Sequence, residues 1–329
     1  MIRVSNEHGI EVDLGGTRIG LDDYHGTNAD YLFISHAHGD HLGKISSTTP
    51  VLSSDETALL AAVKGVALKV SSLQDTELLP TGHILGSMAL RISDSLLYTG
   101  DLCDRNRGPL LGFDPPKVDT LIIESTYGSA KFLFPKLEDV MGVARDAIGD
   151  CFKKDIPVVA MGYALGKAQH IELLLDGFQP AYICPELKRY DEIYRLCGIE
   201  IPQKVCLGDV KGKWLPEKGP WILFAPFRSG RSSFNRYVEK RFGAKLMAFS
   251  GWACKKGYKD AMAVSEAFPL SDHSDFEGLL RIVKRSRANR VFTTHGFTDE
   301  LALHLREMGY DAQPLTRGLR TLHEYLEED

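Results

Sequence analysis

"SHAHGDH", residues Ser35 to His41, decides how this chain is read. It holds three of the eleven histidines and an aspartate. It overlaps the end of "YLFIS", a short apolar run that reads as a strand. On an extended backbone, residues two apart point the same way, so His36 and His38 can share one ion. Asp40 and His41 come just after the Gly39 turn and can face a second ion position. Two metals roughly 3.5–4 Å apart form a clamp for hydrolysing phosphate or acyl bonds.

Each metal needs further ligands. "TGHILGSM" supplies His83, "YTGD" supplies Asp101 and "THGF" supplies His295. A carboxylate has two oxygens, so Asp101 is the natural bridge between two cations. The mix of imidazole and carboxylate suits Zn²⁺ better than Mg²⁺, which prefers oxygen, and Mn²⁺ is the alternative. Taken singly, His83 also fits a satisfied core histidine and Asp101 a turn residue. The ordered set is far more specific than its members. His8, His25, His170, His304 and His323 have no comparable setting and are assigned no role.

The 329 residues suggest about two domains, and 43% hydrophobic with 25% charged residues is ordinary for a soluble globular chain. No apolar run approaches the ~18 residues of a membrane span. The start lacks a signal-peptide core, so cytoplasm is the expected location. None of the six cysteines forms a C-x-x-C pair, and buried free thiols are expected. The net charge of -5 is uneven. From Phe227 to Lys259 nine Lys or Arg face one Glu, a local +8 that leaves -13 for the rest. A phosphate backbone responds to local patches rather than to total charge; a solvated helical face is the plainer account of the same residues.

Short strand-like runs recur, among them "SLLYTGD", "TLIIESTYG", "PVVAMGYALG", "WILFAPFRSG", "KLMAFSGW" and "RVFTTHGF". Helix-like segments lie between several of them: 55–63, 136–153, 167–175, 276–287 and 299–308. The alternation means α/β, with the first ~130 residues richer in strands. His36, Asp101, Glu124 and His295 all sit just after strand-like runs. Loops at a common sheet edge can converge although distant in sequence.

"HAHGDH", "GHILGSM" and "TGD" resemble successive metal motifs of the metallo-β-lactamase superfamily. "ESTYG" (124–128), "LSDHSD" (270–275) and "THGF" (294–297) resemble motifs A, B and C of its β-CASP nucleases. "GYALGKAQ" (162–169) and "SGW" (250–252) look like pieces of that group's cap domain. The pattern is most similar to the ligase-associated exonucleases, also described as mRNA 3′-end processing factor-like, and it extends over the whole chain. The resemblance implies a four-layer αβ/βα sandwich, residues 1–135 and 258–329, with an inserted compact α/β β-CASP cap, residues 136–257. It implies two zinc ions, the first on His36, His38 and His83, the second on Asp40, His41 and His295, with Asp101 bridging. Glu124 would orient His273 beside the scissile phosphate as general acid or oxyanion stabiliser. Asp40, Glu124 and His273 are thus the expected catalytic residues.

Zinc lowers the pKa of bound water to roughly 7, which gives hydroxide for attack on phosphorus. The activity implied is a two-zinc nuclease acting on DNA in repair or end processing, as an exonuclease with endonuclease action also open. The alternative is an RNA-processing ribonuclease of the same group. Glu124 and His295 depart from the Artemis-type pattern and leave sugar choice open. The expected polymer contacts are Lys167 at a helix start, and Arg228, Arg231, Arg236, Lys240 and Arg241, with Phe227, Phe234 and Tyr237 interleaved for stacking on bases. The expected partners are nucleic acid and a repair or processing protein, and no membrane. A small-molecule hydrolase would need neither motifs A to C nor the basic segment. A non-catalytic binder would lack a ligand, and none of the seven is missing. An oxygen-reducing di-iron protein would carry a carboxylate where His38 stands.

Overall fold

The computed structural model describes residues 2–315 apart from 23, 27–28, 44, 47, 210–214 and 217–218, so His323 lies outside the described residues. The chain forms two compact units. One runs from Met1 to Lys131 and resumes at His273, and the other is Phe132–Asp272.

The first unit opens with β1 (Ile2–Ser5), β2 (Ile10–Leu14), β3 (Arg18–Leu21), β4 (Tyr31–Phe33), β5 (Pro50–Leu52), α1 (Asp55–Val63) and β6 (Lys69–Val70). It continues through β7 (Thr76–Pro80), β8 (Met88–Ile92), β9 (Leu96–Tyr98) and β10 (Thr120–Ser125). The second unit holds α2 (Leu137–Lys153), β11 (Val158–Gly162), α3 (Lys167–Leu174), β12 (Ala181–Ile183), α4 (Pro185–Leu196) and β13 (Val205–Cys206). After these come β14 (Ile222–Pro226), α5 (Ser233–Phe242), β15 (Lys245–Phe249), α6 (Tyr258–Met262) and β16 (Glu266–Phe268). The chain then returns to the first unit with α7 (Phe276–Ser286), β17 (Arg290–Gly296), α8 (Thr298–Glu307) and β18 (Asp311–Pro314).

Two six-stranded sheets build the first unit, ordered β1-β2-β3-β4-β5-β6 and β18-β17-β10-β9-β8-β7. Val12, Ile19, Phe33 and Leu52 of one sheet share a core with Leu90, Tyr98, Ile122 and Phe292 of the other, so the sheets pack face to face. Leu121, Ile123 and Val291 point the opposite way and pack on Leu279, Ile282 and Val283 of α7 and Leu301 and Leu305 of α8. The run "TLIIES" is therefore buried on both faces, as its unbroken apolar character requires. α1 starts where the Ser54 hydroxyl accepts the Thr57 N–H at 3.0 Å, with Asp55 and Glu56 in its first turn.

The second unit is one sheet, β13-β12-β14-β11-β15-β16, with every pairing parallel. Parallel neighbours need crossovers, and the helices supply most of them. α4 begins with Pro185 at its first position, and α5 begins at a Ser232 cap and ends at Gly243 in the left-handed region. Because β16 pairs with β15, this unit reaches Asp272, whereas the sequence reading placed the boundary at 257. Among the described residues no helix is long and apolar enough to cross a membrane. The six cysteines are free thiols, with Cys103, Cys184 and Cys206 buried.

One polar cluster is sealed inside the second unit. Glu172 and Asp191 are both 0% exposed. Lys204 Nζ lies 2.9 Å from Glu172 Oε2, and Gln169 Nε2 donates to Asp191 Oδ1 at 2.9 Å. Burial, with the Asp191 carboxylate alongside, pushes the Glu172 carboxyl up to about 8. The folded chain therefore keeps a proton that the unfolded chain releases near 4.5, so its stabilising effect declines as pH rises from there to about 8. Between pH about 6 and about 8 the melting temperature should fall less in Glu172→Gln than in the parent. Equal slopes in the two proteins would show that Glu172 is not the titrating group.

Candidate active site

Three adjacent parallel strands of the second sheet present their C-terminal ends together. Asp101 follows β9, Glu124 ends β10 and His295 ends β17. The other sheet contributes Asp22 after β3 and His36 after β4. The Met88 N–H donates to the Ser35 carbonyl at 2.8 Å and ties the two edges together. Gly100 allows the close approach. It sits at φ +53°, and a Cβ there would lie 2.4 Å from the Ser35 Cβ.

At this junction four imidazoles surround one carboxylate oxygen. Asp101 Oδ2 lies 3.4 Å from His41 Nε2, 3.5 Å from His36 Nε2, 3.6 Å from His83 Nε2 and 3.9 Å from His273 Nε2. His38 joins through its other nitrogen. Its Nδ1 is 3.0 Å from His36 Nε2 and 3.2 Å from His83 Nε2. Three ring nitrogens aimed at one another place lone pairs face to face unless a proton or a cation lies between them. A tetrahedral zinc with Zn–N of about 2.0–2.1 Å holds its nitrogens about 3.3 Å apart. The observed spacing fits that geometry, and His36, His38, His83 and Asp101 could hold a metal ion.

The residues expected at the second position come together less closely. The His295 ring lies 5.2 Å from the His41 ring, centroid to centroid. His295 has φ +57°, and the register of β10 against β17 shifts beside it, so a bulge re-aims this residue. The Ser125 hydroxyl clamps the bulge by donating to the carbonyls of Thr294 and His295. Asp40 is the outlier. Its carboxylate comes to 4.0 Å from His41 Nε2, yet its side chain is 82% exposed.

Glu124, which is buried, and His273, whose side chain is 19% exposed, form a dyad. His273 Nδ1 lies 2.9 Å and 3.1 Å from the two oxygens of Glu124, whose carboxylate also accepts the Leu102 and Thr126 N–H groups. A carboxylate can only accept here, so Nδ1 carries the proton and Nε2 is left to face Asp101. His273 stands just before α7, which is capped by the Asp275 carboxylate accepting the Gly278 N–H at 2.8 Å. Asp101, Glu124 and His273 form a second group close enough to hold a cation.

Protonation follows this layout. Burial, helped by His41 beside it, holds His36 well below the ordinary histidine range, which keeps it neutral as a ligand must be. Burial would do the same to His41, but Asp101 and Asp22 on either side outweigh it and raise its pKa. Burial alone would raise Asp101, but His41 and then His273 hold it well below the usual carboxylate range.

Several supporting residues escaped the sequence reading. Asp22 is 2% exposed. Its Oδ2 is 2.9 Å from His41 Nδ1 and accepts the Tyr98 hydroxyl at 2.6 Å, while Oδ1 accepts the Ser35 N–H at 2.7 Å. It thereby turns His41 Nε2 toward Asp101. Arg107, 4% exposed, donates to the carbonyls of Gly82 and His83 and fixes the His83 turn. Asp104 accepts from the Ser274 hydroxyl at 2.8 Å and from Arg281, which pins the segment beside His273. "GLDDYHG" offers only the position of Asp22 after a strand as a clue, and Arg107 offers none.

The expected polymer contacts all lie in the second unit. Lys167 does not face solvent. It is 2% exposed, and its Nζ lies 2.7 Å from Asp272 Oδ1, because a buried ammonium needs a counter-charge. Arg228 pairs with Glu186 and lies over the Phe234 ring, and Arg231 donates to the Ala261 carbonyl at 2.8 Å. Arg236, Lys240 and Arg241 are exposed on α5, opposite the buried Asn235 and Val238.

Asp22→Asn turns an amide toward donors that now meet a carboxylate. Zinc affinity should fall about 10- to 100-fold, read by competition with a chromophoric chelator. Unchanged affinity would remove Asp22 from the support of the centre.

No family model matches the chain. It is 31% identical over 303 residues to a probable DNA ligase of Opitutus terrae, covering 85% of this chain and 28% of that protein. It is 37% identical to cleavage and polyadenylation specificity factor subunit 3 of Dictyostelium discoideum, over 67% of this chain and 35% of that protein. An RNase J-like protein of Methanocaldococcus jannaschii is 28% identical, over 45% of this chain and 44% of that protein. The chain thus spans less than half the length of these relatives. A solved structure from Enterococcus faecalis, described as a protein of unknown function, shares the fold with TM-score 0.68 over 98% of this chain and 99% of that one, at 15% identity. With the motifs of Ser35–His41, His83, Asp101, Glu124, His273 and His295 gathered at one sheet junction, and with relatives of this kind, the chain belongs to the β-CASP nuclease group of the metallo-β-lactamase superfamily.

Proposed function

We propose that the protein is a metal-dependent phosphodiesterase, a two-zinc nuclease acting on DNA. The fold is then a metallo-β-lactamase αβ/βα sandwich carrying a β-CASP cap within the second unit. The observation that carries the reading is the pairing of two arrangements around Asp101. Histidine nitrogens of His36, His41 and His83 converge on one of its oxygens, and the Glu124–His273 dyad reaches the same oxygen at 3.9 Å. His36, His38 and His83 would hold one metal, Asp40, His41 and His295 the other, and Asp101 would join them. Bound there, the metals supply Lewis acidity toward a phosphate and an activated water.

The chain's own groups do the rest. Glu124 keeps the proton of His273 on Nδ1 and stabilises the imidazolium form. His273 Nε2 can then carry a proton toward a leaving 3′-oxygen or toward charge developing on phosphate. Zinc is the favoured ion because imidazole nitrogen dominates the donor set, with Mn²⁺ the alternative. The match over most of this chain to a probable DNA ligase favours DNA. The likeness to an RNase J-like protein supports ribonuclease action as the second reading.

His36→Ala or Asp101→Ala should lose bound zinc and abolish cleavage, and full activity in either would sink the mechanism. His273→Ala should keep its metal and cut about 100- to 10,000-fold more slowly, the range typical of a lost proton donor. Loss of zinc in that variant would make His273 a ligand instead. Matched single-stranded, duplex and flapped DNA and RNA, labelled at either end, test sugar, polarity and mode together. Faster cutting of RNA in every form would replace the DNA reading with the ribonuclease one.

A further inference from the structure

The C-terminal edge of the second unit's sheet carries a row of aromatic rings. β14, β11 and β15 are neighbours there, and the loops after them place Phe227, Tyr163 and Trp252 in that order. Tyr163 and Phe227 lie ring against ring, with centroids 5.6 Å apart and planes 32° from parallel. Tyr163 is nonetheless 50% exposed, so part of the ring remains open to solvent. Trp252 stands edge-on to Phe132 at 5.2 Å, with Lys255 Nζ 4.4 Å from its ring.

These loops are held in place by backbone bonds. The Phe227 N–H donates to the Gly162 carbonyl at 2.7 Å, which locks the Tyr163 and Phe227 loops together. The Gly230 N–H donates to the Met262 carbonyl at 2.8 Å, and Arg231 reaches the Ala261 carbonyl. A Cβ on Gly230 would lie 1.7 Å from the Ala263 oxygen, so only glycine permits this approach. The loops carrying Tyr163 and Phe227 are therefore tied to each other and their rings packed together, which lowers the entropic cost of stacking on them.

Charge indicates what stacks. Lys255 and Lys256 are exposed in the loop after β15, while Arg228, next to Phe227, is paired with Glu186. This is the stretch with the local charge of +8. Flat rings beside cations suit a polymer of flat bases joined by phosphates. An unpaired base has a face to offer, whereas a base inside a duplex already has both faces stacked. We propose that Tyr163 and Phe227 form a stacking site for unpaired bases that favours single-stranded or frayed substrates over closed duplex. This rests on the nuclease reading above.

The test uses the zinc-loaded full chain and fluorescence anisotropy, with phosphorothioate-linked strands so that they stay intact. The probes are a labelled single strand, an abasic strand of equal length and a blunt duplex. Tyr163→Ala and Tyr163→Leu should each weaken single-strand binding roughly 5- to 100-fold, while abasic-strand and duplex binding stay within about twofold. Tyr163→Trp should restore single-strand binding. Equal losses on intact and abasic strands would mean that bases are not what the ring holds, and would overturn the proposal. So would unchanged single-strand binding, which would leave the rings to a protein partner. The nuclease reading is checked apart from this by hydrolysis of bis(p-nitrophenyl) phosphate by the zinc-loaded parent protein. Absence of that hydrolysis removes the enzyme reading whatever the binding series shows.

Discussion

A carboxylate out of water persists where positive charge or donors surround it, and Asp101 has four imidazoles within 4 Å of a single oxygen. Those rings come from loops at positions 36, 41, 83 and 273, so the carboxylate and the histidines compensate one another only when both sheets are in place. The stakes run both ways. Satisfied by a cation, the cluster rigidifies the junction of the two sheets. Without one, it gathers ring nitrogens that must share protons among themselves.

This explains why the residues behind the ligands are so buried. A ring nitrogen serves as a ligand only when the other nitrogen is told which tautomer to hold. Asp22 does this for His41 and Glu124 does it for His273, each with a carboxylate that can only accept. The two carboxylates differ in what else they hold. Asp22 also collects the Tyr98 hydroxyl and Ser35, which binds it to the sheet core. Glu124 collects the N–H of Leu102, one residue after Asp101, so the dyad and the Asp101 carboxylate are set by one short stretch of backbone.

The sequence made visible what is local. His36, His38 and His41 stand out because ligand spacing along one strand end and turn is a short-range pattern. Asp101, Glu124 and His295 stand out because each follows a strand-like run, and His83 through its place in the ordered set of motifs. α1 occupies 55–63, the helix-like segment expected there. Asp22 was not legible, since its partners Ser35, His41 and Tyr98 lie 13, 19 and 76 positions away. Lys167 misled for the opposite reason. A lysine at a glycine-led helix start looks like a phosphate ligand, and only the fold brings Asp272 to it at 2.7 Å. α4 was passed over because its polar sequence, "PELKRYDEIYRL", buries only Leu187, Asp191 and Tyr194.

The division between a generic centre and a particular surface follows from the chemistry of the bond. Every phosphodiester offers cations the same two non-bridging oxygens, so a histidine–carboxylate centre cannot tell one nucleotide from the next. Selectivity has to arise where bases and sugars touch side chains. In this chain the charge distribution separates along the same line. The ligand cluster lies in the first unit, whereas the stretch carrying +8 lies in the second, beside ordered rings at a sheet edge. Cations alone grip the backbone of any strand, paired or not. Rings held in register by backbone hydrogen bonds add a requirement that phosphate cannot meet, namely an unstacked base. On the stacking proposal, a surface of that composition would select the state of the strand rather than its sequence, because every base has a flat face and only unpaired ones expose it.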